Sequence, residues 1–415
     1  MTTSIGLLIV PQRPFPSDHA MLETVYTRHL PAEGYRVSWV MHTREVGEDA
    51  ADWNGTPVHL VRLPTRASAA STHALTWLLT LRAAWRFARP PEIDILQVRN
   101  LIGAGLLGLM LRRVRGIRVS YQFSFPIPEA LIEAAKARRT RWPRLQRALA
   151  SAQLRCRRFL LRRADLVLAI SPAMREQLVR QGVDPARVVI APMGADDVPP
   201  VGEDDTRRLR SELGVESPCI IYFGVIAPER ELSFLVDVAA RLQAMGHAAQ
   251  WMLVGRSVDG EAERLATGAE RCGVSRFQII DRVPRSELPR YLSMASIAVS
   301  PIPVNDLYRA SSPTKTVEAL NMGIPVVATP IPEQAGLLES SGGGLVAPFE
   351  VGAFSEAVAA LLEDPAGAVA MGRAGQAYVQ QHRSYSRLAK ELDVTYRRLI
   401  HGELPADGEW WPPRG

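Results

Sequence analysis

The sequence from residue 311 to residue 320 reads Ser311-Ser312-Pro313-Thr314-Lys315-Thr316-Val317-Glu318-Ala319-Leu320, and Gly323-Ile324-Pro325-Val326-Val327-Ala328 follows. Ser312 is a good N-cap and Pro313 suits the first helical position, so we predict a helix that begins here and stops at Gly323. The first amides of a helix lack intrahelical partners, and the helix dipole attracts anions to them. With the Lys315 ammonium they form a predicted diphosphate site. The residues assigned to it are Ser312, Thr314, Lys315 and Thr316.

Glu318 lies three residues beyond Lys315 and therefore on the same face of the predicted helix. A carboxylate there can accept hydrogen bonds from two vicinal hydroxyls, and a ribose presents such a pair. We expect this carboxylate to face a cleft and to have no packing role. The alternative is a capped helix whose Lys315 and Glu318 face solvent.

Apolar, β-rich segments alternate with amphipathic, helix-length segments along most of the chain, which is the order of βα units in a parallel sheet. The predicted strands of the first half are 5–10, 36–41, 58–62, 93–98, 118–123, 165–170 and 187–190. Those of the second half are 219–223, 250–254, 277–280, 297–300 and 325–328. From residue 352 to about residue 401 the pattern is helical. The predicted fold class is therefore α/β, with two Rossmann-like, doubly wound domains and C-terminal helices.

At 415 residues the chain is too long for one ordinary core, which also favours two domains. We predict domains at 1–195 and 206–383, joined by a linker at 196–205 that is rich in Pro, Gly and Asp. Residues 384–415 are predicted to form a helix and tail, for which a return to the first domain is one option. Because ligands bind outside the carboxyl ends of such strands, we expect the chemistry in a cleft between the domains.

The composition, 47% hydrophobic and 22% charged, is typical of a globular protein. The N-terminal segment lacks a basic region and has only a short apolar stretch, so we predict no signal peptide. The apolar run 101–111 is too short for a membrane span and indicates a buried helix. Three isolated cysteines without CxxC spacing argue against a disulfide framework and against a zinc knuckle, and a reducing cytoplasm is the predicted location.

The motifs together resemble glycosyltransferase family 4, which has the GT-B fold and retaining members that use nucleotide sugars. The similarity is carried by the 311–328 segment and by four further stretches in the same order and spacing: 164–171, 191–196, 251–255 and 288–292. It implies transfer of a sugar from a nucleoside diphosphate to a hydroxyl, in cell-surface glycan or glycolipid synthesis. The first domain is implied to bind the acceptor and the second the donor.

Matching positions then receive implied roles. Glu318 corresponds to the family's second glutamate, which holds the donor ribose, and Arg230 to the basic residue at the diphosphate. Arg282 and Val283 lie where backbone groups meet the base, and Gly224 lies in the loop under the phosphates.

The sequence departs from the family at several of these places. The family's first glutamate is replaced by Ala310, and the arginine of the first C-terminal loop by Val225. We expect Lys315 to compensate at the diphosphate. The contact with the donor sugar is assigned to Asp306 or Arg309.

No general base is evident in the first half, where the family's histidines are replaced. The candidate catalytic residues are His19, Arg99, Asn100 and Gln122. A retaining transfer can proceed without a protein base, because the leaving phosphate can take the acceptor proton. The sequence has no Asp-x-Asp and no His-Glu-x-x-His, so we predict no metal and no cofactor besides the donor substrate.

The segment 136–163 has eleven Lys or Arg and no acid. Within it, an apolar stripe is flanked by Arg155, Arg158 and Arg162. The residues of the stripe are Leu145, Leu149, Ala152, Cys156 and Phe159. One interpretation is a helix at an anionic membrane surface, which would place the protein on the inner membrane face. The other is a core helix with a solvated basic face. A nucleic-acid partner is not indicated, because aromatic interleaving is sparse.

Two other functions fit the same fold. A nucleotide-sugar epimerase would need carboxylates or histidines beside the sugar, and few such groups lie near Ala310 and Gln122. A sugar-nucleotide-binding protein without catalytic activity is compatible with the missing glutamate. The acceptor is left open between a glycan, a lipid-linked molecule and a small molecule.

Overall fold

The computed structural model of the protein describes residues 4–43, 49–62, 69–136, 142–196, 198–216 and 218–403. Contacts divide the chain into two compact units. Unit 1 comprises Met1–Pro192 and Tyr385–Gly415, and unit 2 comprises Met193–Ser384. The division lies three residues before the predicted end of the first domain, and the described part of the predicted linker belongs to unit 2. Of the helix and tail predicted at 384–415, residues 404–415 lie outside the described residues.

Unit 1 contains one eight-stranded sheet in the order β3-β4-β2-β1-β5-β6-β7-β8. Its strands are β1 (Ile5–Pro11), β2 (Tyr35–Thr43), β3 (Ala50–Trp53), β4 (Thr56–Arg62), β5 (Ile95–Arg99), β6 (Arg118–Phe123), β7 (Leu166–Ala169) and β8 (Val188–Ile190). All neighbours are parallel except β3 and β4. The inner strands are almost entirely buried, as expected for a parallel sheet covered on both faces.

The helices of this half follow the strands in βα order. A π-helix (Leu22–His29) continues into α1 (Leu30–Ala32). The others are α2 (Ala69–Phe87), α3 (Ile102–Arg115), α4 (Ile127–Lys136), α5 (Pro143–Leu161) and α6 (Pro172–Arg180). The predicted helix at 101–111 is therefore confirmed as α3. No helix among the described residues is long and apolar enough to span a bilayer.

Unit 2 contains a six-stranded parallel sheet in the order β11-β10-β9-β12-β13-β14. Its strands are β9 (Cys219–Phe223), β10 (Gln250–Val254), β11 (Phe277–Ile280), β12 (Ile297–Ser300), β13 (Val326–Ala328) and β14 (Gly344–Val346). Its helices are α7 (Glu203–Glu212), α8 (Ser233–Ala244), α9 (Glu261–Arg271), α10 (Leu288–Leu292), α11 (Thr314–Asn321), α12 (Pro332–Ser341), α13 (Val351–Glu363) and α14 (Pro365–His382). This is the doubly wound Rossmann order, in which the chain reverses its direction of winding between β9 and β12.

The last helix, α15 (Tyr385–His401), packs on unit 1 although it follows unit 2 in the chain. The Tyr396 hydroxyl donates to Gln97 Oε1, and Gln97 Nε2 donates to the Tyr26 hydroxyl over 2.6 Å. All three side chains are fully buried. This buried network attaches α15 to β5 and to the π-helix after β1.

Candidate functional site

Helix α11 begins at Thr314, and its N-cap is Pro313, with extended backbone and no side-chain capping bond. The prediction that Ser312 is the N-cap is therefore wrong. Its buried hydroxyl instead accepts a hydrogen bond of 3.0 Å from the Met193 amide. That amide would otherwise be buried without a partner. The helix ends as predicted, with Gly323 in the left-handed region at φ +73°.

Lys315 and Gly224 lie together, as the predicted site requires. The Lys315 ammonium lies 4.1 Å from the centre of the Tyr222 ring, at the end of β9. Tyr222 donates a 3.0 Å hydrogen bond to the Val225 carbonyl and so holds the loop after β9. Gly224 has φ +135°, which favours glycine, and a Cβ added there would lie 3.6 Å from Lys315 Nζ. The lysine thus faces the loop at its glycine.

Arg230 ends a short 3₁₀ turn (Pro228–Arg230) beyond the same loop. Its guanidinium carbon lies 5.0 Å from the centre of the Tyr308 ring, and the Tyr308 hydroxyl donates to the Glu229 carbonyl over 3.2 Å. Burial first, and repulsion by Arg230 second, lower the pKa of Lys315 well below its ordinary value. Two cations that repel each other at a helix N-terminus form a site suited to a polyanion.

The Glu318 carboxylate lies one turn along α11 and accepts a 2.8 Å hydrogen bond from Arg285 Nη1. Arg285 Nη2 also lies 3.7 Å from Asp196 Oδ2. Burial raises the pKa of Glu318, while Arg285 opposes that shift. The expectation that Glu318 has no packing role is therefore wrong, because its loss would leave a partly buried guanidinium with one partner fewer.

Arg285 was not among the site residues predicted from the sequence. It lies in the loop after β11, 33 residues before Glu318, and no fixed spacing links the two positions. A cluster of polar residues after a predicted strand was the only available signal, since strand ends in one sheet gather at one edge.

The other residues predicted on the donor side differ in their burial. Thr316 is fully buried, and its hydroxyl donates to Gln334 Oε1 over 3.2 Å, so its side chain belongs to the core and only its amide faces the helix end. Arg282 is exposed, whereas Val283 packs against the core of unit 2. Asp306 and Arg309 are both exposed. Ala310, which follows Arg309 in the chain, is buried.

Of the catalytic candidates in unit 1, the structure brings His19 and Arg99 together. Arg99 Nη2 lies 2.8 Å from His19 Nε2, which must accept because a guanidinium only donates. Burial, followed by repulsion from Arg13, lowers the pKa of Arg99 to about 10. His19 is therefore neutral in this contact and its Nε2 lone pair is engaged.

The other two candidates point elsewhere. Asn100, at φ +61°, donates to Ser124 Oγ over 2.8 Å and accepts from the Ser124 amide. Gln122 is fully buried, with Nε2 3.3 Å from Met21 Sδ. Its side chain thus lies in the core of unit 1. Among the described residues, no group of three or more His, Cys, Asp or Glu side chains is arranged to hold a metal ion.

Two family models match this sequence. One, described as a glycosyl transferase 4-like domain, matches residues 25–194, and one described as glycosyl transferases group 1 matches residues 217–364. Alpha-D-kanosaminyltransferase of Streptomyces kanamyceticus is 27% identical over 217 residues, which are 50% of this chain and 54% of that protein. The chain thus spans about half the length of this curated relative.

Solved structures resemble most of the chain in fold. Sucrose-phosphate synthase from Thermosynechococcus elongatus has a TM-score of 0.75 at 19% identity, and the match covers 96% of this chain and 100% of that one. Anabaena HepE in complex with UDP and glucose has a TM-score of 0.68 at 17% identity, with 95% and 99% covered. At these identities the likeness shows the fold alone, and the predicted pair of Rossmann-like domains is confirmed.

Proposed function

This chain belongs to the glycosyltransferases of the family 4 type, with the GT-B fold, and we propose that it transfers a sugar from a nucleoside-diphosphate sugar to a hydroxyl acceptor. The observation that carries this proposal is the convergence of Lys315, Arg230 and Gly224 at the N-terminus of α11, with Glu318 on the same helix. A diphosphate suits the first three groups and a ribose suits the carboxylate. HepE, a structural neighbour, binds UDP and glucose.

The proposed reaction retains the anomeric configuration and uses no metal. The acceptor oxygen bonds to the anomeric carbon while the bond from that carbon to the diphosphate breaks. The diphosphate takes the proton from the acceptor. Lys315, Arg230 and the first amides of α11 stabilise the negative charge that grows on the leaving group, which is the work of a preorganised electrostatic site.

Retention is favoured by the surroundings of the candidate bases. His19 Nε2 already accepts from Arg99, and Gln122 lies in the core of unit 1. An inverting transfer needs a positioned base with a free lone pair. Proton transfer to the leaving diphosphate removes that requirement.

A thermal-shift screen of nucleotide sugars tests this proposal, because a ligand at one hundred times its dissociation constant adds about 2.7 kcal/mol to stability. We expect one class of nucleotide sugar to raise the melting temperature, and the same compound to serve as donor to a hydroxyl acceptor with retained configuration. The variant Lys315→Met should lose the shift, and Lys390→Met, at an exposed position of α15, should keep it. No shift with any nucleotide sugar would refute the proposal.

A further inference from the structure

Helix α5 exposes its apolar stripe. Leu145, Leu149 and Phe159 are 58%, 57% and 48% exposed, and Ala152 and Cys156 are exposed as well. The side that α5 buries is a different one. It consists of Ala150, Arg157, Leu160 and Leu161. The interpretation of the stripe as a core face is therefore wrong, because its large side chains are about half exposed in the described part of the chain.

Two further helices extend this surface. Helix α3 packs beside α5, since a Cβ added at Gly105 would lie 2.4 Å from Leu160. Helix α2 packs beside α3, with the Trp77 ring against Gly103. Both helices add large exposed apolar side chains, and Trp142 precedes α5. These side chains are Trp77, Leu78, Trp85, Met110, Val114 and Trp142.

The same three helices are basic and contain no acidic residue. Their exposed arginines are Arg82, Arg86, Arg113, Arg144, Arg147, Arg155 and Arg158. Two neighbouring arginines lie over rings of this surface, Arg115 4.4 Å from the centre of Trp85 and Arg163 4.0 Å from that of Phe159. Cations beside exposed tryptophans and leucines match a bilayer interface, where phosphates meet acyl chains.

We propose that the outer surface of α2, α3 and α5, called here the basic-apolar face, docks on an anionic lipid bilayer. The arginines bind lipid phosphates while the apolar side chains enter the headgroup region. A bilayer accounts for both the arginines and the apolar side chains of the face, whereas a nucleic acid would leave the leucines, Met110 and Val114 without a role. If the proposed function holds, a protein attached in this way uses a lipid-linked hydroxyl acceptor at the inner leaflet.

Vesicle flotation tests docking independently of catalysis. The full-length protein should float with vesicles that contain phosphatidylglycerol and remain unbound with pure phosphatidylcholine. The Debye length is about 8 Å at physiological salt and about 3 Å at 1 M, so added salt should weaken attachment. Equal flotation on both lipids, or none on either, would overturn the proposal. Dimerisation without flotation would assign the face to a second copy of the chain and also overturn it.

Two sets of variants separate charge from apolar contact. One set changes Arg144, Arg147, Arg155 and Arg158 to Gln, and its control removes four exposed arginines from elsewhere: Arg180, Arg271, Arg276 and Arg373. Arg162 is kept, because it donates to the Gln181 carbonyl. Each contacting arginine strengthens binding about fivefold, so the first set should lower the partition constant several hundredfold, and the control should lower it far less. If both sets lost vesicle binding equally, the loss would reflect the net charge of the protein, and a docking face would be contradicted.

The apolar set is Leu145→Ser, Leu149→Ser and Phe159→Ser, with Val369→Ser and Met245→Ser as exposed controls in unit 2. Only the α5 changes should weaken binding at high salt, where the apolar contribution dominates. Circular dichroism establishes that each variant is folded. If vesicles bind normally but no nucleotide sugar stabilises the protein, docking stands and the proposed function fails.

Discussion

At the scale of single residues, the Glu318 carboxylate has a hydrogen-bond partner in the protein and a second proposed partner in the donor substrate. In the described structure it accepts from Arg285, and the proposed donor would bring two ribose hydroxyls to the same carboxylate. We predict that Glu318→Gln weakens nucleotide-sugar binding tenfold or more, since hydrogen bonds to a charged group are worth about 1.5–3 kcal/mol. Isothermal titration calorimetry measures the change, and Glu339→Gln, at an exposed position of α12, is the matched control. Equal affinity of the two variants would contradict the ribose assignment.

The same residue gives the binding a pH dependence. Burial raises the pKa of Glu318, so the carboxylate is protonated at a higher pH than an exposed glutamate. Protonation removes acceptor capacity for the ribose. Donor affinity of the unaltered protein should therefore decrease as the pH falls through this raised pKa, and the Gln variant should lack that decrease. A nucleotide sugar is the right probe because its diphosphate diester keeps its charge over this range.

The residue-scale predictions from sequence depended on whether the deciding contacts are local. Lys315 and Glu318 share a helix, and their common face follows from helical spacing alone. The partners of Ser312 and Glu318, which are Met193 and Arg285, lie far away in the chain. Only the tertiary structure brings them together, so the sequence wrongly predicted an N-cap role for Ser312 and no packing role for Glu318.

At the scale of elements, α15 is attached to unit 1 by a small, fully buried polar network. Removing the Tyr396 hydroxyl leaves buried polar atoms of Gln97 and Tyr26 with fewer partners. We predict that Tyr396→Phe lowers the free energy of unfolding by about 1–3 kcal/mol. Urea unfolding followed by circular dichroism measures this loss. Tyr378→Phe, on the partly exposed side of α14, should change stability by less than about 0.5 kcal/mol. An unchanged midpoint for Tyr396→Phe would show that the network contributes nothing to stability.

The strands were predictable to different degrees. The bounds of β9, β10, β11 and β12 agree with the prediction, because these strands are mostly apolar runs followed by glycine, proline or a charged residue. The sequence did not reveal β3 or β14. Strand β3 is a half-exposed, antiparallel edge strand of four residues, and β14 has three residues and begins with Gly344. Segments so short and so weakly apolar carry no periodic signal, and only pairing with β4 or β13 defines them.

At the scale of the whole molecule, the proposed function places the charges that stabilise the diphosphate on the chain itself. We predict that sugar transfer continues in excess EDTA at a rate close to that with magnesium. Arg230→Gln should lower kcat/KM roughly tenfold to a hundredfold, because it removes a charged contact with the leaving group. Arg271→Gln, an exposed change on α9, should have little effect. Loss of transfer on chelation, with recovery on adding magnesium, would mean that a metal ion stabilises the diphosphate.

The lowered pKa of Lys315 also makes this side chain chemically distinctive. The chain has only three lysines, and the other two, Lys136 and Lys390, are exposed. Only the neutral amine is a nucleophile, and a lowered pKa increases the neutral fraction of Lys315 relative to an exposed lysine at the same pH. Lysine-directed acylating reagents should therefore modify Lys315 faster than the exposed lysines where they can reach it, and a bound diphosphate should favour the protonated amine and suppress the modification. The donor site would then carry a built-in covalent reporter of its own occupancy.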